Sequence, residues 1–451
     1  MAERTATLES TLTTLAQSKK YAAVRDVLIT MNPVDVAALF EELDEALLPL
    51  LFRLLPKELA AETFVEMNSD LQELLIHGFS DAELKEVVDE LFVDDAVDLV
   101  EEMPANVVKR ILRQADPDMR RSINEILRYP DDSAGGIMTT EFVDLTPTMT
   151  VEDAEKRIRR TGVDKETINT CYVTDAEGHL IGALSIRTII LSKLDDIIGD
   201  VMETHIITVT TTEDQESVAR MFGKYGFTSM PVVDGENRLV GIVTVDDALE
   251  VLQDEATEDI AKMAAITPTD RPYMRTSVMQ IWLARIPWLL LLMISATFTG
   301  LVLDHFQNSL LIYGVLINYI PMLMDTGGNS GSQSSVTIVR SLSLGELEFS
   351  DIFTVLWKEL RVALLCGGSL ALAGLLKLLL FDRVGLHVAL VVSLTLLMTV
   401  LLAKLVGCTL PMLAKKIGFD PAVMASPFIT TIVDVLALLI YFRFAAVLLG
   451  I

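Results

Sequence analysis

Three groups of residues in this chain have types and spacings that could do chemistry. The first is Asp325, Asn329, Gln333 and Thr337, spaced i, i+4, i+8 and i+12. That spacing lines one face of a helix. Gly327, Gly328 and Gly331 lie beside the stripe and allow close backbone approach, with Gly327 and Gly331 forming a small-xxx-small pair. The second group is Ser426, Thr430 and Asp434, spaced i, i+4 and i+8, where Asp434 is the only ionisable group in an apolar run from Phe428 to Phe442. A carboxylate in hydrocarbon costs roughly 3 kcal/mol or more, so such an acid is expected to face a pathway or a partner. Its nearest base in that span is Arg443, more than two turns away. All the candidate ligands are oxygens, with no cluster of His or thiolate, which suits hard cations such as Mg²⁺ and Ca²⁺. A lone carboxylate with hydroxyl and amide neighbours fits a hydrated ion better than a dehydrating cage. Two copies across a dimer axis would double it. The third group is Asp246, Asp247, Glu250, Asp254, Glu255, Glu258 and Asp259, in a stretch without Gly or Pro. Pairs such as Asp254/Glu258 and Glu255/Asp259 repel at i,i+4. This is either a solvated connector helix or one that a counter-ion relieves.

The elements that must position these groups divide sharply. Residues 1–270 carry a net charge of −30 and residues 271–451 a net charge of +3. A single globular domain, a disordered chain and a basic nucleic-acid binder are all excluded, because so acidic a surface repels phosphate and attracts cations. Three unpaired cysteines, Cys171, Cys366 and Cys408, exclude a disulfide scaffold and a CxxC metal site. The start, MAERTATLESTLTTLAQSKK, has no apolar stretch, so no signal peptide is expected. In the second part five stretches reach the ~20 mostly apolar residues a helical span needs. They lie at about 286–303, 310–339, 362–381, 386–410 and 428–449, the second being the least apolar. Pro321 and the glycine cluster are expected to loosen that second helix. Arg271, Arg275 and Arg285 precede the first span. Arg340, Lys358 and Arg361 lie between the second and third, and Lys415 and Lys416 between the fourth and fifth. The alternation places the N-terminus in the cytoplasm and the C-terminus outside.

The acidic part contains a repeat. Ile137-Met138 matches Val201-Met202 at an offset of 64, and CYVTDAEGHLIGALSIRT (171–188) matches MPVVDGENRLVGIVTVDD (230–247) at an offset of 59. Each copy reads strand, helix, strand, turn, strand, helix. A tandem of this kind buries its sheets against its twin. Residues 1–135 instead read as a stack of short amphipathic helices, with apolar residues at helical spacing such as Val34, Ala37, Leu39, Phe40 and Leu43. LLFRLLP (50–56) and LVEEMP (99–104) each end a helix at Pro. The expected order is a helical domain (1–135), two α/β repeats (136–200 and 201–253), a connecting helix (246–270) and a membrane domain (271–451).

PMLMDTGGNSGSQ (321–333), DPAVMASPFITTIVDVLALLIYF (420–442) and DEATEDI (254–260) resemble the MgtE family of magnesium channels, and the order of parts is similar too. The resemblance implies an all-α N domain, tandem CBS domains, a connecting plug helix and five spans, in a homodimer of the cell membrane. It implies a pore between spans two and five of both chains, lined here by Asp325, Gly328, Asn329, Gln333, Ser426 and Thr430, and cytosolic Mg²⁺ sites that close it. On that basis Asp434 matches the pore aspartate. Asp214, Glu216, Asp247, Glu255, Glu258 and Asp259 match acids of the CBS and plug sites. Glu58, Asp94 and Asp98 match acids of the N domain, and Asp420 the acid that faces the plug. Ser426 and Thr430 depart from the Asn and Ala of familiar members, and Gly226 stands where they carry an acid. CBS pairs also bind adenine nucleotides through a Gly-x-x-Ser/Thr-x-x-Asp end. The second copy has Gly241, Thr244 and Asp247, while the first has Gly182 and Ser185 but Thr188 for Asp. Arg187 and Thr244 are the candidates for holding ATP. The function expected is Mg²⁺ import with Mg²⁺ as both substrate and regulator. The alternatives are an ion-coupled carrier for divalent metals and a membrane-anchored Mg²⁺ or nucleotide sensor. No nucleophile–base pair supports an enzyme, and GGNSGS (327–332) lacks the strand and Lys of a phosphate loop.

Overall fold

The computed structural model describes residues 2–269, 273, 274, 276–307, 312–424 and 426–450, the side chains of 2–7, Glu9 and Ser426 excepted. Arg271, Arg275 and the Ser426 side chain, singled out above, therefore lie outside the described part. The chain forms two compact units, 1–252 and 253–451.

The first unit begins with a helical stack of α1 (Ala2–Gln17), α2 (Tyr21–Leu28), α3 (Pro33–Glu42), α4 (Leu48–Phe52), α5 (Lys57–Val65), α6 (Ser69–Gly78), α7 (Asp81–Val88), α8 (Val93–Glu102), α9 (Ala105–Gln114) and α10 (Pro117–Ile126). Local chemistry sets these boundaries. The Asn32 side chain accepts from the Val34 amide with Pro33 in the first turn, and Ser80 and Glu83 form a reciprocal capping box. Pro56 and Pro104 end one helix and cap the next, as their place in the sequence predicts. The inward faces close one core through Leu12, Phe40, Phe64, Leu75, Val97 and Ile111. Arg110 clamps two turns of the stack, donating to the Ile76 and Phe79 carbonyls and to Asp81.

Two α/β copies follow, as the repeat implied. The first has β1 (Val143–Leu145), α11 (Val151–Thr161), β2 (Thr170–Thr174), β3 (Leu180–Ser185) and α12 (Ile186–Leu191), then a short α13 (Ile198–Val201). The second has β4 (Val209–Thr210), α14 (Gln215–Tyr225), β5 (Ser229–Val233) and β6 (Leu239–Thr244), which runs into α15 (Val245–Met263). In each sheet the first strand pairs parallel and the last two antiparallel, with Thr170 opposite Ser185 in one and Ser229 opposite Thr244 in the other. The copies meet where the buried Tyr172 hydroxyl reaches the Ser229 hydroxyl at 2.9 Å.

The second unit holds α16 (Val278–His305), α17 (Ile320–Ser343), α18 (Ile352–Leu380), α19 (Leu386–Lys416) and α20 (Ser426–Leu449). Among the described residues four helices, α16, α18, α19 and α20, are long and apolar enough to cross a membrane. At 24 residues α17 has the length, about 36 Å at 1.5 Å per residue, but its polar stripe denies it the composition. It packs instead against α19 and α20. Two expectations need correction. Helix α18 starts at Ile352, so Lys358 and Arg361, expected between the second and third spans, lie within it. And α17 is unbroken: Pro321 sits in its first turn, where a missing N–H harms nothing, and the glycines are spent on packing.

Candidate cation path and acidic cluster

Helix α17 has two distinct faces. Asp325, Asn329, Gln333 and Thr337 are all exposed on the chain, while Gly327, Gly328, Gly331, Ser334, Ser335 and Ile338 are buried. The glycines decide which face is which. A Cβ at Gly327 would lie 2.6 Å from Thr399 Cγ2, and one at Gly331 would lie 2.6 Å from Ile429 Cγ2 and 3.2 Å from the Ala403 carbonyl. Only a bare backbone comes this close to α19 and α20. Gly328, expected among the lining residues, lies beneath Thr430, whose Cγ2 would meet an added Cβ at 2.6 Å. The Thr430 hydroxyl donates to the Pro427 carbonyl at 2.9 Å, within its own helix. Asp434, half-buried on α20, is close enough to Asp325 for the two carboxylates to repel. The two stripes thus meet, and their acids stand with amide and hydroxyl oxygens on a face that this chain leaves uncovered.

Sequence reasoning passed over a second polar group in this unit. Lys404 is 5% exposed, and its ammonium donates to Ser334 Oγ at 3.2 Å. Ser334 Oγ in turn donates to Glu359 Oε2 at 2.7 Å. The signal was available, because Lys404 is the one Lys, Arg, Asp or Glu between Leu386 and Met412.

At the end of α17 near Ser343, α15 supplies Glu258, Asp259 and Lys262. Lys262 Nζ lies 2.5 Å from Glu258 Oε1 and 2.7 Å from Asp420 Oδ2, so an ammonium bridges the two acids expected to share a metal ion. Ser343 Oγ donates to Asp259 Oδ2 at 3.1 Å. Burial pushes the Asp259 carboxyl above its ordinary range, the Ser343 bond opposes this, and Asp420 adds repulsion. Glu255 is half-buried one turn earlier on α15.

In the first unit, acids converge from three elements. Asp94 and Asp95 open α8, Asp247 opens α15, and Glu141 and Glu166 sit in the connections around β1 and α11. Glu141 Oε2 accepts from the Val93 amide at 2.9 Å, and the Glu166 amide donates to the Glu141 carbonyl at 3.0 Å. Asp247 Oδ2 accepts from the Thr244 hydroxyl at 2.5 Å. Burial holds Asp94, 9% exposed, well above the usual carboxylate range, with repulsion from Asp247 next. Burial, again with Asp247 behind it, pushes Asp95 up to about 7. Glu166 is pushed up to about 8 by burial, then by Asp246 and Asp247. Asp98 is raised to about 7 in the same way, but its side chain opens to solvent, which screens part of the effect. Carboxylates gathered in excess of cations such as Lys165, which acts on Glu141, favour either protons or a hard divalent ion among them. The sequence had singled out Asp94, Asp98 and Asp247. It missed Glu141 and Glu166 because loop acids carry no periodicity to mark them, and Asp95 because it sits in α8 next to the Asp94 already singled out.

The remaining candidates stand apart from this cluster. Asp214 caps α14 by accepting from the Ser217 amide at 3.0 Å, and Glu216 pairs with Arg220 one turn on. Glu58 is exposed in the first turn of α5. Gly226 has φ +70 and ends α14 in a left-handed turn, a conformation that glycine adopts at no steric cost. Arg187 is exposed in α12, and Thr244, 4% exposed, uses its hydroxyl on Asp247.

Family models cover most of the chain. The MgtE intracellular N domain matches residues 31–132, the CBS domain matches 134–194 and again 198–254, and the MgtE divalent cation transporter domain matches 320–444. The chain belongs to the MgtE family. The magnesium transporter MgtE of Thermus thermophilus is 38% identical over 431 residues, 95% of each chain. MgtE of Bacillus subtilis is 29% identical over 435 residues, 96% of this chain and 95% of that one. Among solved structures, the cytosolic domain of the Mg²⁺ channel MgtE in complex with ATP superposes with a TM-score of 0.52 at 37% identity, covering 54% of this chain and 99% of that one. The soluble part of a magnesium transporter superposes with the same TM-score at 29% identity, covering 56% and 99%. The resemblance seen in PMLMDTGGNSGSQ and DEATEDI is thus a family relation. The MgtE transporter domain spans both stripes and the Lys404 group, and the soluble N domain and CBS pair hold the acidic cluster.

Proposed function

We propose that this MgtE protein is a Mg²⁺ channel of the cell membrane that imports the ion as a homodimer and is closed by Mg²⁺ bound to its acidic cytoplasmic domains. The observation that carries this reading is the uncovered face of α17 beside Asp434. Asp325, Asn329 and Gln333 are exposed on a helix whose other face is tightly packed. A polar face in a membrane domain belongs against protein or water, not lipid. A second copy related by a two-fold axis would cover it and enclose a water-filled path with two Asp434 carboxylates. Mg²⁺ keeps several of its waters and binds through one or two carboxylates, so such a path suits the hydrated ion. Helix α17 then makes a fifth span, with the N-terminal domains cytoplasmic and the C-terminus outside. Closure uses the acids of α8 and α15. Mg²⁺ among Asp94, Asp95, Asp98, Glu166 and Asp247 draws the N domain to the CBS pair, and Mg²⁺ at Glu255, Glu258, Asp259 and Asp420 draws α15 to the pore mouth. Glu58, Asp214 and Glu216 contribute to the same regulatory set. ATP binds the CBS pair near Arg187 and Thr244, a reading supported by the ATP complex of the related cytosolic domain.

The test is Mg²⁺ flux into liposomes holding the pure full-length protein, with and without internal Mg²⁺. Wild type should conduct at low internal Mg²⁺ and close at tens of millimolar. Asp434→Asn should fall to the protein-free baseline while keeping its fold and oligomeric state. Wild-type flux in a folded Asp434→Asn protein would refute the path.

A further inference from the structure

The buried polar group behind the path does work that the path alone does not explain. Lys404 on α19 and Glu359 on α18 both lie in helices long and apolar enough to span a membrane. A buried charge is expensive unless paired and hydrogen-bonded, and apolar residues of the same volume usually serve stability as well or better. A stability role alone therefore does not account for this pair. What the pair does have is direction. Its bridging atom is Ser334 Oγ, 3% exposed, on the packed face of α17 one residue after the exposed Gln333. The other directional contacts of α17 lie in its last turn, where the Lys415 ammonium donates to the Leu342 carbonyl at 2.8 Å and Ser343 donates to Asp259; along the middle of the helix, beside the polar stripe, the seam is smooth. Gly327 and Gly331 bring bare backbone against Thr399, Ile429 and the Ala403 carbonyl, and Gly407 abuts the Gly331 carbonyl in return. Smooth surfaces of this kind let helices approach closely, but they also let one turn or slide on the other. The Ser335 and Thr399 hydroxyls in the same seam are buried without a hydrogen-bond partner, so they do not lock it.

We propose that the Lys404–Ser334–Glu359 relay fixes the rotation of α17 about its own axis and so determines which residues face the ion path. The inference rests on the pore reading and makes the three positioning residues. The Glu359 carboxylate accepts from Ser334 on one side and the Lys404 ammonium donates to it on the other. Only one rotation of α17 satisfies both. That rotation presents Asp325, Asn329, Gln333 and Thr337 outward.

The experiment uses full-length protein in liposomes, with Cys171, Cys366 and Cys408 replaced and single reporters introduced at Asn329 on the exposed face or Ile338 on the packed face. In the parent, a water-soluble thiol reagent should label Asn329→Cys and spare Ile338→Cys, which is 5% exposed before substitution. Ser334→Ala keeps both charges and removes only the bridging hydroxyl. It should lower Mg²⁺ flux about tenfold, the order expected for losing a charge-assisted hydrogen bond, and make Ile338→Cys reactive. Lys404→Met with Glu359→Leu should keep the thermal midpoint at or above that of the parent, yet show the same loss of flux and the same blurred labelling. Wild-type labelling in Ser334→Ala overturns the proposal whatever its flux, and this variant decides alone if the double variant does not fold. The pore reading fails separately, if Asp434→Asn conducts or if Asn329→Cys never labels. A dead Asp434→Asn beside a Ser334→Ala with wild-type flux and labelling refutes only the relay.

Discussion

Raising the pH in the absence of divalent ions should part the N domain from the CBS pair. Asp95 ionises near 7 in the folded unit, against about 4 for a free carboxyl, and Glu166 near 8. A group whose folded value is raised contributes stability that is fully present below its unfolded value and is lost as pH rises through the folded value. The packed arrangement of α8 on the start of α15 is therefore favoured by protons at pH 5.5 and opposed at pH 8.5. For Asp95 alone, the rise from about 4 to about 7 corresponds to ~4 kcal/mol in all, of which about half is already lost at pH 5.5; the change between pH 5.5 and 8.5 is ~2 kcal/mol, or roughly thirtyfold in the balance between packed and parted states. Mg²⁺ does the work of the protons, so millimolar Mg²⁺ should hold the domains together at pH 8.5. The assay is the distance distribution between spin labels on Glu90→Cys and Lys193→Cys, both exposed, in cysteine-free full-length protein. With EDTA the distribution should be narrow at pH 5.5 and broad at pH 8.5, and Mg²⁺ should restore the narrow form. If EDTA-treated protein gives the same narrow distribution at both pH values, the carboxylates are not confined as described and their repulsion does not drive the gate.

Lys262→Met should raise flux at zero internal Mg²⁺ severalfold while saturating Mg²⁺ still closes the path, because the ammonium shared by Glu258 and Asp420 is a latch that needs no metal. Unchanged flux at zero Mg²⁺ would show that contact to be incidental. Asp247→Asn should shift closure to higher Mg²⁺ in the flux assay, since Asp247 is the neighbour that acts on Asp94, Asp95 and Asp98 together. Gly331→Leu should cost about 2–3 kcal/mol and lower the thermal midpoint in detergent, since even its Cβ meets Ile429 and the Ala403 carbonyl. A cysteine at the exposed Gly385 should label from outside intact cells, and one at the exposed Ser350 only after permeabilisation. The reverse pattern would invert the topology.

The parts that periodicity writes were legible in the sequence. Strand–turn–strand signals such as VVDGENRLVGIV gave the strand order of both copies, and the i, i+4 stripe from Asp325 to Thr337 emerges on one exposed face. Three things were not legible. Pro321 looked like a break because sequence does not reveal where a helix begins, and a proline in the first turn is benign. Lys358 and Arg361 looked like charges between spans because α18 begins ten residues before its apolar stretch, at a helix end where long charged side chains can reach headgroups and water. Glu141 and Glu166 joined the acidic cluster from connections whose course depends on packing of the N domain, and the Val93 amide that ties Glu141 down lies 48 positions away.

The two acidic regions of the protein face opposite demands. An ion in transit must leave, so a conducting site should hold it weakly. On the proposed path, Asp325 and Asp434 of each chain repel one another across an open face and do not close on an ion, which would meet that demand. A sensor must instead distinguish two states of the protein, and it shifts their balance only by its differential affinity. On the proposed reading, acids drawn from α8, α15 and the connections around β1 would provide that difference, because parting the elements would disperse the ligands. Going from mostly open to mostly closed takes about 5.5 kcal/mol of such difference. Burial and mutual repulsion push Asp95, Asp98 and Glu166 upward together, so on this reading a divalent ion among them in the packed state would have more to relieve than one beside the dispersed acids. Burial thus serves the sensor in a way it would not serve the path. It raises the free energy of the ion-free packed state, and so makes closure depend on the ion.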